Sequence, residues 1–327
     1  MPCSAAQLSF AVIVETENLQ LADISGLRST LESLSAQDGM VQAAESIMVQ
    51  DSGNVDAEIL ADLKESFPWI TFFDIPHEQG HYEAKMNCMQ SLRSDIIVFC
   101  DSDCVVQPGW LANLLQPFHD DRSVQVVGGE TKMEAADPFS LAMVLTHVFD
   151  LFSANRSLYS GRGYYANNVA FRRELLQQTP IPGDLPLFRG NCCVHARQLM
   201  RRGIVIWRQP QSRALHATPE DWSHFAHRFV KMGSDAVKVG RLTASIGGEN
   251  RPVLSGSILA AISGKLVETA SRTWRLRTSD PQPMARMVLA IPIVVAALGL
   301  YTLGAMSMCF SSTPPANGDK QNATRKG

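Results

Sequence analysis

The chain has 327 residues, is 45% hydrophobic and carries a formal net charge of −3. That length holds one large domain or one domain plus an appendage, and the composition supplies a sizeable core. The charge argues against a protein built mainly to hold nucleic acid, which carries a basic surplus.

Seven cysteines lack a repeated Cys-x-x-Cys framework and read as reduced core residues. The stretch from Met1 has no basic region and no long apolar run, so it does not read as a signal peptide. Leu8–Val14 is a continuous apolar run that predicts a buried strand. Leu27, Leu31 and Leu34 share a helix face. Ser46–Gln50 predicts a second strand, closed by the turn signal Asp51-Ser52-Gly53-Asn54. A helix over Val55–Phe67, a strand over Trp69–Asp74, a helix over His81–Leu92 and a strand over Asp95–Cys100 follow. This rhythm predicts an α/β fold, a mostly parallel sheet sandwiched by helices. Ligands of such sheets bind beyond the carboxyl ends of the strands, where Asp51, Asp101 and Asp103 fall.

Farther along, Trp110–Leu115 begins a helix and Val124–Gly129 is a strand. Pro138–Phe152 is apolar on most of its circumference and reads as a core helix or as a membrane-facing, acceptor-side one. Tyr164–Leu176 holds a strand–helix unit. A helix ends at Gly203, Ile204–Trp207 is a strand, and His216 follows in a loop. Trp222–Val239 is helical, and Ile258–Ala270 reads as an amphipathic interfacial helix. Met287–Phe310 carries no charge and is long enough to span a bilayer, which takes about 20 residues. Arg272, Arg275, Arg277 and Arg286 precede it and predict a cytoplasmic domain on a single-pass cell-membrane anchor. The expected organisation is a catalytic domain over residues 1–240, a linker with an interfacial helix over 241–285, a transmembrane helix over 286–310 and a disordered tail over 311–327.

Asp101-Ser102-Asp103 closes an apolar strand and precedes Pro108-Gly109-Trp110. Two carboxylates one residue apart at a strand end form a platform for Mn²⁺ or Mg²⁺, which keeps open positions for substrate phosphates. Such a cation offsets the charge that a departing diphosphate gains. In this arrangement Asp101 sits nearer a ribose and Asp103 binds the metal.

Six ordered segments resemble family-2 glycosyltransferases of the GT-A fold: Glu15-Thr16-Glu17-Asn18, Ser33–Gln37, Val49–Gly53, Gly80 with Ala84–Asn87, Asp101–Asp103 and Ala166–Arg173. The resemblance covers about residues 8 to 230. It implies inverting, metal-dependent transfer of a sugar from a nucleotide-sugar donor, UDP-linked by family habit, to a cell-envelope glycan or lipid-linked acceptor. It places Thr16 and Glu17 in the nucleotide pocket, Asp51 on the base, Lys85 near the base or diphosphate, and His216 on the metal. Two departures stand out. The aromatic expected where Glu17 lies is missing. The Glu-Asp pair that would supply the general base falls on Asn191-Cys192, where no carboxylate exists; Asp184, in a Pro-Gly-Asp turn, is the nearest upstream candidate. The missing base also admits a non-catalytic membrane-anchored nucleotide-sugar-binding protein. A nucleotidyltransferase would carry a Gly-rich basic loop after its first strand, which Glu15–Asn18 is not.

Overall fold

A computed structural model describes residues 8–16, 19, 23–77, 79–219, 221–246 and 257–309. Glu17 and the expected disordered tail lie outside the described residues. The first half runs β1 (Phe10–Glu15), α1 (Ile24–Ser35), α2 (Met40–Ala43), β2 (Ser46–Asp51), α3 (Ala57–Ser66), β3 (Ile70–Asp74), α4 (His81–Gln90), β4 (Ile96–Asp101), β5 (Cys104–Val106) and α5 (Trp110–Asp120). The second half runs β6 (Val126–Lys132), α6 (Pro138–Thr146), β7 (Tyr159–Gly161), β8 (Asn168–Arg172), α7 (Arg173–Gln178), α8 (Asn191–Arg201), β9 (Ile206–His216), α9 (Trp222–Ile246), α10 (Ile258–Ser279) and α11 (Met287–Ser307).

Among the described residues nine strands form one sheet in the order β3-β2-β1-β4-β8-β6-β9-β5, with β7 pairing β9. Pairing among β3, β2, β1 and β4 is parallel, as the unbroken apolar runs predict. Beyond β4 the sheet is mixed. Strand β8 runs antiparallel to both β4 and β6, while β6 and β9 pair in parallel. After β1 the chain builds outward through β2 and β3, then returns to the other side of β1 as β4. The sheet thus has a topological switch point between β1 and β4, where Glu15 pairs with Asp101.

Both faces of the sheet are covered. Val12, Val14 and Val98 face a cluster with Leu27, Leu31 and Leu34 of α1 and Leu114 of α5. Ile13, Ile97 and Phe99 face Met86 and Met89 of α4 and Leu199 of α8. A third cluster joins α6, α9, α10 and α11.

Three sequence expectations change. Helix α6 ends at Thr146, and its Ser140–Thr146 stretch is buried, so it is a core helix. It opens with a capping box, in which Asp137 accepts the N–H groups of Phe139 and Ser140. The loop holding His216 is instead the end of an eleven-residue strand. The register of β6 on β9 shifts between Gly128 and Glu130, where β9 carries extra residues around Pro210. Proline interrupts a ladder, so a bulge is where a strand admits it. Finally, the interfacial segment is longer than its amphipathic pattern, extending from Ile258 to Ser279.

Candidate active site

Strand β4 ends in Asp101, and β5 begins one residue after Asp103. Helix α1 fixes the turn between them. Thr30 Oγ1 donates to the Ser102 carbonyl at 2.8 Å, and Ser33 Oγ accepts the Val106 N–H at 3.1 Å. Gln37 Nε2 donates to the Gln107 carbonyl, while Gln37 Oε1 accepts the Leu111 N–H. Gly109 turns the chain at φ +75°, and fully buried Trp110 anchors it by donating Nε1–H to Asn168 Oδ1 at 2.8 Å. Asn168 in turn donates to the carbonyls of Glu130 and Ser212. The polar residues around the acidic pair are therefore spent on holding its loop.

His216 Nε2 lies 3.1 Å from Asp103 Oδ2. Strand pairing puts them there, since Cys104 faces His216 in the β5–β9 ladder. His216 Nδ1 is 2.6 Å from the Ala217 carbonyl oxygen, which only accepts, so Nδ1 carries a proton. In the neutral imidazole, Nε2 then presents a lone pair to a carboxylate oxygen. With Nε2 protonated the two groups form an ion pair; with it deprotonated they offer one nitrogen and one oxygen to a divalent cation. Asp103, Cys104 and His216 bring one potential ligand atom each within 4.8 Å of the others. Burial, followed by the Asp103 charge, pushes the Cys104 thiol well above its usual range. It stays protonated, leaving an oxygen–nitrogen donor pair suited to Mn²⁺ or Mg²⁺.

Asp101 has a different partner. Lys85 Nζ lies 2.5 Å from its Oδ1 and 3.2 Å from the Ala166 carbonyl. Lys85 is fully buried and lies over the Phe99 ring. The sequence expectation placed it beside a base or diphosphate; in the fold its charge holds Asp101. Next to them, His81 Nδ1 is 2.8 Å from Glu15 Oε2, both side chains being buried.

A cavity of about 400 Å³ opens over these strand ends. Thr16, Asp101, Asp103 and His216 line it; Asp51, Lys85 and Asp184 do not. Thr16 donates its hydroxyl to the Gln50 carbonyl at 2.9 Å. Asp51 is buried and accepts the Gly53 N–H at 2.9 Å, in an Asx-type turn. Asp184 is exposed at the surface, outside the cavity. The turn chemistry of Pro182-Gly183-Asp184 accounts for it, and the sequence-based candidate for the general base does not reach the cavity.

Several cavity residues carry no sequence signal. Asp235 of α9 accepts the N–H groups of Phe188, Arg189 and Gly190, clasping the entry to α8 from outside. His147 is buried, and neither ring nitrogen has a hydrogen-bond partner among the described residues. Burial, then the nearby Arg228 charge, holds its pKa well below 6.5. Cys192 lines the cavity in the first turn of α8. A hydrogen bond from the Cys193 thiol holds the Cys192 thiol at about 7, against the opposing push of burial. Single residues on α8 and α9 leave no local pattern; only the packing brings them together.

Glycosyl transferase family 2 matches residues 20–179, the segment that contains α1, the Asp101–Asp103 turn and β8. The chain carries a family-2 glycosyltransferase domain. It is a glycosyltransferase, and its sheet with the β1/β4 switch point is the GT-A arrangement. Among solved structures, it resembles the mannosyltransferase PcManGT from Pyrobaculum calidifontis in complex with GDP-Man and Mn²⁺. That likeness has a TM-score of 0.60 at 16% identity, and covers 94% of this chain and 88% of that one. It also resembles GalNAc-T7 with UDP, GalNAc and Mn²⁺, with a TM-score of 0.53 at 12% identity, covering 85% of this chain and 59% of that one. At these identities the likeness concerns the fold. No curated protein matches the sequence. Of the segment beyond the family-2 match, Gln282–Ser307 is apolar and long enough to cross a membrane.

Proposed function

We propose that this glycosyltransferase moves a sugar from a nucleotide-sugar donor to a lipid-linked or cell-envelope glycan acceptor, inverting the anomeric centre. The observation that carries the reading is the Asp103–His216 pair, a carboxylate oxygen and an imidazole nitrogen 3.1 Å apart just past the end of β4 on the wall of the cavity. They would hold Mn²⁺ or Mg²⁺, which supplies charge neutralisation for the departing diphosphate. Asp101, held by Lys85, faces the same cavity and would take the ribose side. Thr16 lies beside it, on the nucleotide side; Asp51, one strand over, would sit behind the base. UDP-sugars are the first donors to test, with GDP-sugars beside them because the mannosyltransferase neighbour holds GDP-Man.

The far wall of the cavity suits the acceptor. Met232 and Ala236 of α9, Lys265 and Glu268 of α10 and Tyr301 of α11 line the same cavity. An acceptor bound there meets the Lys265–Glu268 ion pair and Tyr301 beside the apolar Met232 and Ala236, which suits a molecule with a charged or sugar head on a lipid carrier. The test is calorimetric binding and turnover of UDP- and GDP-hexoses with and without MnCl₂. Metal-dependent binding together with transfer or hydrolysis supports the reading. Metal-dependent binding with no turnover on any acceptor supports the non-catalytic reading, which the carboxylate-free Gly190-Asn191-Cys192 favours.

A further inference from the structure

Helix α11 is long and apolar enough to cross a membrane, and it is also packed against the rest of the chain. One face of the helix is docked along its length on the catalytic domain. Ala290, Val294, Ala297 and Tyr301 share a buried cluster with Phe225 and Phe229 of α9. Ala305 and Met308 share another with Val237, and Arg241 reaches the Met308 carbonyl. At the crossing the backbones touch. A Cβ on Gly233 would lie 1.9 Å from the Tyr301 oxygen, and one on Gly304 would lie 1.9 Å from the Val230 oxygen.

Helix α9 cannot follow α11 into hydrocarbon. It exposes His224, His227 and Lys231, and it also carries Arg228, Lys238 and Arg241. It is tied to the domain as well, through the Asp235 clasp and through Lys238 Nζ on the Pro186 carbonyl at 2.8 Å. Charged side chains at bilayer depth are disfavoured. Spanning would therefore require α11 to leave its docked face.

The opposite face of α11 exposes Val288, Leu289, Ile291, Val295, Leu303 and Met306. The neighbouring helix α10 exposes Leu259, Leu266, Val267 and Trp274, while its buried side holds Lys265 and Arg272. Arg277 and Arg286, with Asp280 between them in sequence, are exposed around the turn that joins α10 to α11. Two adjacent apolar stripes with basic residues and a tryptophan at their edge match the surface of an anionic leaflet.

We propose that α10 and α11 attach the protein to one leaflet in the plane of the membrane, without crossing it. The far wall of the active cavity, formed by the same helices, then rests on the lipid surface. Taken with the proposed transfer, on which this last step rests, a lipid-linked acceptor enters sideways from that leaflet. Attachment itself does not depend on the donor chemistry.

The test uses the full chain bound to sealed vesicles of phosphatidylcholine and phosphatidylglycerol, with the catalytic domain outside. The vesicles are treated with a membrane-impermeant maleimide, and the labelling is read by peptide mapping at Cys309, exposed just past the end of α11, because Cys193 is exposed as well. Equal labelling before and after detergent lysis is expected; labelling only after lysis overturns the proposal. Trp274 fluorescence is expected to be quenched by lipids brominated near the headgroup more than by those brominated deep in the chain. No quenching overturns the contact of α10. The exposed double variant Leu266→Glu, Val267→Glu, checked for unchanged circular dichroism, is expected to raise the released fraction at least tenfold. These readouts involve no sugar, so a failed donor reading and a failed attachment reading remain distinguishable.

Discussion

Asp103 Oδ2 and His216 Nε2 stand 3.1 Å apart because β5 and β9 pair Cys104 with His216. Removing the carboxylate leaves one neutral donor, too little to hold a hard cation against water. Asp103→Ala is expected to abolish Mn²⁺-dependent nucleotide binding, and His216→Ala to weaken it at least tenfold. Titration of UDP and GDP with and without MnCl₂ measures both; an unchanged metal dependence in Asp103→Ala refutes the assignment.

Lys85 tests whether a buried cation positions Asp101. Lys85→Met strands a carboxylate in the wall, and is expected to cost about 3 kcal/mol in urea unfolding, as for other broken buried pairs. The double variant Lys85→Met, Asp101→Asn removes the stranded charge and is expected to recover more than half of that loss. A single variant as stable as the parent would show that the pair contributes nothing.

His195 predicts an acid limb in stability. Its Nδ1 faces the Tyr164 hydroxyl at 2.6 Å, and its Nε2 faces the Thr179 carbonyl at 2.9 Å. The carbonyl fixes the proton on Nε2, so Nδ1 accepts from Tyr164. Burial lowers the folded pKa to about 4 from 6.5. The unfolded chain therefore binds a proton first as pH falls. The contribution is complete above 6.5 and is lost between 6.5 and 4, by up to roughly 3 kcal/mol. Urea midpoints across that window should flatten in His195→Gln if this residue is the source.

Cys192 predicts selective alkylation. Its thiol is held at about 7, whereas burial lifts Cys88 to about 12. Iodoacetamide at pH 8 is expected to modify Cys192 well before Cys88, with a rate rising through a midpoint near 7. Peptide mapping against pH measures it, and a midpoint of 9 or above would contradict the assigned environment. A bound nucleotide sugar that fills the cavity is expected to slow the reaction.

The parallel half of the fold was legible because β1 and β4 are apolar on both faces and the chain alternates strand with helix. The acidic pair was legible for the same reason: it terminates one of those runs. His216 was read as a loop residue, because Pro210 disguised the strand that carries it. Lys85 was identified but its pairing with Asp101 was not, since a charge inside a core can be recognised only when its counter-ion is known. Asp184 was chosen by nearness in sequence, and the fold leaves it on the surface. Asp235, His147 and the docked face of α11 were not legible. Each acquires meaning from a partner more than forty residues away, and an uncharged run reads alike whether it crosses lipid or covers a protein.

The glycine crossing of α9 and α11 has a practical consequence. Deleting the apolar C-terminus is the usual route from a membrane-attached enzyme to a soluble one. Here it would strip the covering from Phe225, Phe229 and Val237, and remove Tyr301 from the wall of the active cavity. The shortened protein would gain an adhesive surface in place of the one it lost. Purification therefore calls for keeping the helix and altering its outward residues, Val288, Val295 and Leu303, toward polar ones.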